Sequence, residues 1–300
     1  MKFDIKSVVE EVQKLYNKDK KAAGMILTGG AVRQIYTEKD GVVVPPGHPI
    51  KELVNLPCVP YNKIIQVAGN PDTGKSTFIG QIMASAQNTD HVVILWDAED
   101  KFDAHRYDKH FKGLAKDIIL VKTNEILQGG EKTRKLILAV KNKYPDAKIL
   151  VAWDSVGGSQ SRGHAERELD SEKHSQPGQD AKENGQVMKM FVSLINKYPD
   201  SIAVVLANQV YAKIGFMQHG DKESGGKKIE FHSSLVIQLK RLKVLTRMAK
   251  GKKVKFGILS RAVVSKNHLS QSDTSVHQLD FEITAAGTGV SIVQSEGDDD

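Results

Sequence analysis

Five short apolar runs, at 64–68, 92–96, 118–121, 149–153 and 202–207, constrain the fold of this chain more than any other feature. Each is nearly unbroken and rich in branched residues, as strands covered on both faces are. Stretches with helical spacing lie between them or just beyond, at 76–87, 102–111, 130–144 and 186–198. Strands alternating with helices in this way predict an α/β fold, a mostly parallel central sheet flanked by helices. Three further runs, at 235–245, 253–265 and Gln278–Thr284, read as later, antiparallel strands. A chain of 300 residues, 40% of them hydrophobic, suffices for one such domain and a short extension.

The extension comes first. Ile5, Val8, Val9, Val12 and Leu15 fall at helical spacing, giving an amphipathic helix over 5–16 whose apolar stripe has nothing local to cover. Pro45, Pro46, Gly47 and Pro49 then punctuate the chain. The expected division is an N-terminal arm at 1–48, a core at 49–293 and an acidic tail at 294–300 that holds Glu296, Asp298, Asp299 and Asp300. No run approaches the roughly 18 apolar residues of a membrane span, and the opening residues alternate charged and apolar side chains instead of forming a signal sequence. The single cysteine, Cys58, excludes an intrachain disulfide framework and suits a reducing compartment. These features predict a cytoplasmic chain with no membrane partner. A net charge of +7, reached despite the acidic tail, favours a polyanionic partner.

Between the run at 64–68 and the helix at 76–87 stand Gly69, Asn70, Pro71, Asp72, Thr73, Gly74, Lys75 and Ser76, followed by Thr77. This is the phosphate-binding loop pattern in the strand-to-helix context it requires. Its glycines let backbone amides turn toward phosphate oxygens, Lys75 neutralises the terminal phosphates, and the Ser76 hydroxyl is a magnesium ligand. ATP and Mg2+ are the ligands expected. Asp154, closing the run at 149–153, is the candidate for the metal's water shell. Asp97 and Glu99 close the run at 92–96, and Glu99 is the candidate general base if the sheet sets that strand beside the loop strand. Asn208 and Gln209 end another buried run, where an amide can sense a terminal phosphate and pass its presence to the chain beyond Tyr211. Two long polar stretches, at about 157–185 and 210–228, follow strand C-termini, the edge where open α/β sheets bind ligands.

In order, the loop, Asp97-Ala98-Glu99, Asp154-Ser155-Val156, Asn208-Gln209, Lys213-Ile214-Gly215, Gly225-Gly226 and Lys266-Asn267 resemble the RecA family of strand-exchange recombinases over roughly 49–291. The resemblance implies a RecA-like P-loop ATPase core with a helical polymerisation arm. It makes Glu99 the catalytic glutamate, Gln209 the nucleotide-sensing glutamine and Asp103 an adenine contact, and the family's adenine-stacking tyrosine falls near Arg106 and Tyr107. It makes the two polar stretches DNA-binding loops, with Arg162 and Arg167 on phosphates in the first and Lys213, Lys227 and Lys228 in the second. Ile214, Phe216 and Met217 become candidates for an apolar tip between base triplets. Lys266 and Asn267 match positions that reach a neighbouring subunit's ATP. The chain departs from the family at His268 and Glu230, where lysines are usual, and stops soon after 279–283 without the separate C-terminal domain. Phage recombinases of the UvsX type depart in similar ways.

The function implied is a DNA-dependent ATPase that forms helical filaments on single-stranded DNA and pairs it with homologous duplex DNA in recombination and repair. Bacterial cytosol or a phage-infected cell is the setting, and a single-strand-binding or mediator protein is a further partner. Two other readings of the same core stay open, a ring-forming DNA helicase and a non-catalytic recombination mediator.

Overall fold

The computed structural model describes residues 4–15, 35–163, 178–212, 221–223, 226–269, 278–284 and 290–292. The chain divides into two compact units, Met1–Tyr36 and Thr37–Asp300. In the first, helix α1 spans Ile5–Leu15. The boundary lies earlier than position 48, because 37–48 pack with the core. There β1 (Gly41–Val43) pairs antiparallel with β2 (Cys58–Pro60), and helix α2 (Pro49–Val54) starts at an N-cap His48 with proline in its first turn. Val42, Val44, Ile50 and Leu53 are buried.

The main sheet is built from β3 (Ile64–Gly69), β4 (His91–Asp97), β5 (Ile118–Lys122), β6 (Lys148–Asp154), β7 (Ile202–Ala212), β8 (Asp221–Glu223), β9 (Leu235–Ala249), β10 (Lys252–Asn267), β11 (Gln278–Thr284) and β12 (Val290–Ile292). Its order is β5-β4-β6-β7-β3-β9-β10-β11-β12, with β8 paired to β7. From β5 to β9 neighbours run parallel, and from β9 to β12 they run antiparallel. Helices α3 (Lys75–Asn88), α4 (Ile126–Lys143), α5 (Gln179–Lys197) and the short α6 (Lys227–His232) complete the mostly parallel α/β architecture that the apolar runs predict.

Several expectations need correction. The strand starting at Leu235 is antiparallel to β10 but parallel to β3, so it belongs to both halves of the sheet. The strand that ends in Asp97 is not beside the loop strand, since β6 and β7 lie between them. Helix α5 starts at Gln179, inside the first polar stretch. Its opening turns are polar yet inward-facing, with Glu183 and Asn184 buried, and this disguises the helix as loop. The helix expected at 102–111 is two short turns, Ala104–Arg106 and Tyr107–Phe111.

Trp96 on β4 and Trp153 on β6 are direct partners across the parallel ladder, and their rings stack at 4.1 Å. Their indole nitrogens donate to the Thr123 carbonyl and the Ser159 hydroxyl, so neither buried donor is orphaned. Helix α4 begins ahead of its predicted start and sets Gly129 against the Trp96 ring, where a Cβ would sit 2.1 Å from the ring carbons.

Candidate nucleotide site

The site forms where β3 ends and α3 begins. Asp72 and Gly74 adopt positive φ, 59° and 97°, which turns the backbone of the loop tightly enough to expose the N-terminus of α3. Free amides and the helix dipole make that end attractive to anions. Packing also requires glycine twice. A Cβ at Gly69 would lie 2.5 Å from the Leu239 carbonyl oxygen, and one at Gly74 would lie 2.0 Å from Ile283 Cδ1. The loop is braced by the Thr73 hydroxyl donating to the Asn70 carbonyl at 2.9 Å and the Ser260 hydroxyl of β10 donating to the Thr73 carbonyl at 3.0 Å.

Lys75 Nζ donates to the Gly69 and Asn70 carbonyls, both at 2.8 Å. Burial lowers the pKa of this ammonium, and the nearby carboxylates of Asp154, Glu99 and Asp72 oppose the shift. Asp154 ends β6. Burial pushes its carboxyl up, the Ser76 hydroxyl bonded to it pulls down, and the charges of Glu99 and Asp97 push up again. Among the described residues no group of three or more His, Cys, Asp or Glu gathers to hold a metal. A hydroxyl and one carboxylate side by side nevertheless fit Mg2+, which keeps several waters and takes phosphate oxygens as ligands.

Glu99 reaches the site although β4 is two strands removed from β3. Asp97 fixes the turn, accepting from the backbone of Lys101 at 3.1 Å and Phe102 at 2.9 Å. The Ala98 amide donates to the Asp154 carbonyl, which leans the turn over β6. The Glu99 carboxylate then accepts from the Ser155 hydroxyl at 2.5 Å, from Gln209 Nε2 at 3.0 Å and from Lys101 Nζ. Burial alone would raise this carboxyl, but the three hydrogen bonds outweigh it and hold the pKa below the ordinary value. Gln209 lies on β7 directly beside Gly69 of β3. Two glycines make room for this cluster, since a Cβ at Gly157 would strike the Gln209 side chain at 2.7 Å and one at Gly158 would strike Glu99 at 2.3 Å.

A cleft of about 720 Å³ unites these groups. Pro71, Asp72, Gly74, Lys75, Ser76 and Thr77 line it together with Glu99, Asp154 and Gln209, and so do Asp103, Arg106 and Tyr107. Gly69, Asn70 and Thr73 support it through the loop backbone. The Asp103 carboxylate caps the Ala104–Arg106 turn, accepting from the Arg106 amide at 2.9 Å. Arg106 Nη2 donates to the Thr77 hydroxyl at 3.0 Å. Tyr107 is 2% exposed and donates to Gln87 at 3.0 Å, so its ring is part of the packing.

Lys266 does not line this cleft. Its ammonium caps α6, donating to the Glu230 and Phe231 carbonyls at 2.7 and 3.1 Å, beside a Phe231 side chain that is 76% exposed. His232 there is lowered by burial and by the ammoniums of Lys189, Lys266 and Lys228. Arg162, Lys227 and Lys228 are exposed. Arg167, Lys213, Ile214, Phe216 and Met217 lie outside the described residues. Sequence reasoning missed Ser155, Lys101 and Gly158 as neighbours of Glu99, and Gly157 as a neighbour of Gln209. Ser155 stood within a recognised triplet, whereas Lys101 is a loop lysine that carries no signal of its own.

Fold and loop together define an α/β protein of the P-loop class. The RecA N-terminal domain family model matches residues 5–291, and the chain belongs to that family. Among curated relatives, the Protein RecA of Ureaplasma parvum serovar 3 is 26% identical over 239 residues, 79% of this chain and 66% of the relative. The Protein RecA of Nautilia profundicola is 26% identical over 219 residues, 72% and 59% of the two chains. That of Chloroflexus aurantiacus is 25% identical over 247 residues, 80% and 66%. The chain thus spans 59% to 66% of the length of these relatives, less than two thirds of each. Among the described residues no helix is long and apolar enough to cross a membrane.

Proposed function

We propose that the chain is a DNA-dependent ATPase that assembles into helical filaments on single-stranded DNA and promotes pairing with homologous duplex DNA. The observation that carries this reading is the hydrogen bond from Gln209 to Glu99. It ties a carboxylate held ionised beside the phosphate loop to the strand that runs directly into the second polar stretch.

In this reading the loop amides and the α3 N-terminus hold the triphosphate of ATP, and Lys75 exchanges its two carbonyl partners for terminal phosphate oxygens. Ser76 and Asp154 hold Mg2+, which supplies charge neutralisation along the phosphates. Glu99 accepts the proton of the attacking water, and its lowered pKa keeps it in the basic form at neutral pH. The three hydrogen bonds leave a lone pair of the carboxylate open, so Glu99 can accept from water while Ser155, Gln209 and Lys101 hold it in place. Gln209 moves with the terminal phosphate and carries its state into 213–220. Arg162, Arg167, Lys213, Lys227 and Lys228 meet DNA phosphates, and Ile214, Phe216 and Met217 separate bases. Lys266, outside its own cleft beside an exposed Phe231, contacts ATP held by an adjacent subunit, so that hydrolysis depends on assembly. Residues 1–36 dock on the next subunit and propagate a non-closing, head-to-tail array.

Electron microscopy of the purified chain with ATP and a long single strand tests this reading. Extended helical filaments are expected, whereas closed rings or no assembly would overturn it.

A further inference from the structure

The phosphate end of the cleft is fixed by the loop, so the remainder of a bound nucleotide must lie between two walls. One wall is the pair of turns at 104–111, and its aromatic groups are already engaged. Tyr107 is buried and packs against Phe102 at 5.5 Å and Phe111 at 5.9 Å between ring centres. Phe111 in turn covers Gly80 of α3, where a Cβ would sit 2.6 Å from its ring. Arg106 lies over Phe111 and is bonded to Thr77. Tyr107 therefore presents no open flat face, and one face of the exposed Arg106 guanidinium is taken by Phe111.

The other wall begins at the loop itself, where Ile283 and Ile258 lie against Gly74, and continues through Gly257 to Phe256. The β9–β10 ladder skips a residue between Lys255 and Gly257, which leaves Phe256 as the extra residue of a bulge. Bulges re-aim side chains, and Phe256 lines the cleft. Among the described residues it has no aromatic neighbour, and the Arg247 guanidinium lies over its ring, 5.7 Å from the centre.

We infer that Phe256 is the platform on which the base of the bound nucleoside triphosphate stacks, backed by Arg247. The inference rests on the triphosphate reading above and assigns the base contact to strand β10 instead of the turns at Arg106 and Tyr107 that the sequence indicated. A half-buried ring presents an apolar π-face, which any nucleobase can stack on, and the cation behind it strengthens the stack.

The test uses the full chain titrated with Mg-ATP and with Mg-tripolyphosphate, which has the phosphates but no base. Phe256→Ala is expected to weaken ATP binding about tenfold and leave tripolyphosphate binding unchanged. Phe256→Trp is expected to keep ATP affinity and to show indole quenching by ATP but not by tripolyphosphate, measured against the Trp96 and Trp153 background. Unchanged ATP affinity in the alanine variant, equal weakening of both ligands, or an introduced indole blind to ATP would each overturn the assignment. If the unaltered chain bound neither ligand, the triphosphate reading itself would fall, a pattern distinct from a loss confined to ATP.

Discussion

The two edges of the parallel sheet are built from the same strands and do opposite things. At the N-terminal edge, polar groups are used up fastening strands together. Asn62 and Asp200 exchange two hydrogen bonds at 2.9 Å before β3 and β7, and Tyr61 bonds His91 at 2.6 Å, with Lys148 over the tyrosine ring. Burial pushes the Tyr61 hydroxyl up to about 12, so it stays a neutral fastener. At the C-terminal edge, Lys75, Glu99, Asp154 and Gln209 gather around a cleft of about 720 Å³, held by neighbours that a triphosphate would displace in the function proposed above. Satisfied polar groups stabilise, whereas exchangeable ones leave room for chemistry.

Changes at the two edges should therefore separate activity from stability. Lys75→Ala is expected to lower ATP turnover by at least roughly 10³-fold with little change in melting temperature. Glu99→Gln should cost about 10²–10⁴-fold in turnover while ATP and DNA binding survive, measured by single-turnover kinetics and filter binding. Loss of ATP binding in that variant would remove Glu99 from the role of base.

Part of this contrast was legible in advance. The apolar runs revealed the parallel strands because burial on both faces leaves an unbroken signature, although the edge strand β5 keeps Leu120 exposed, and the loop from Gly69 to Ser76 stands out because its glycine-rich pattern constrains consecutive residues. Sheet order was not legible, since no local pattern records that β6 and β7 separate β4 from β3. The small sheet of β1 and β2 escaped for a related reason, as three-residue strands are too short to show periodicity. Phe256 escaped because its relevance arises from a bulge, and a bulge is a property of pairing.

A third perturbation acts between the edges. His48 is buried, accepts from the Ile50 amide and bonds the Phe78 carbonyl of α3, and burial lowers its pKa to about 4. A histidine kept neutral by folding contributes stability that is full above its unfolded value of 6.5. That contribution is lost as pH falls toward 4, because only the unfolded chain takes up the proton. Chemical denaturation between these pH values should show a loss of about 3 kcal/mol from this group, and His48→Gln should flatten the dependence.

Smaller effects sharpen the comparison further. Gln209→Ala should reduce the stimulation of turnover by single-stranded DNA about tenfold, a coupling loss at the active edge. At the fastening edge, Asn62→Ala should cost about 1 kcal/mol of stability in urea titrations and leave turnover unchanged. A turnover defect in Asn62→Ala matching that of Gln209→Ala would erase the distinction between the edges.

The most direct measurement is ATP turnover by the purified chain with and without a long single-stranded DNA. Turnover rising at least tenfold with DNA is predicted if Gln209 couples Glu99 to the polynucleotide. Equal turnover in both conditions would contradict the coupling of nucleotide chemistry to polynucleotide binding.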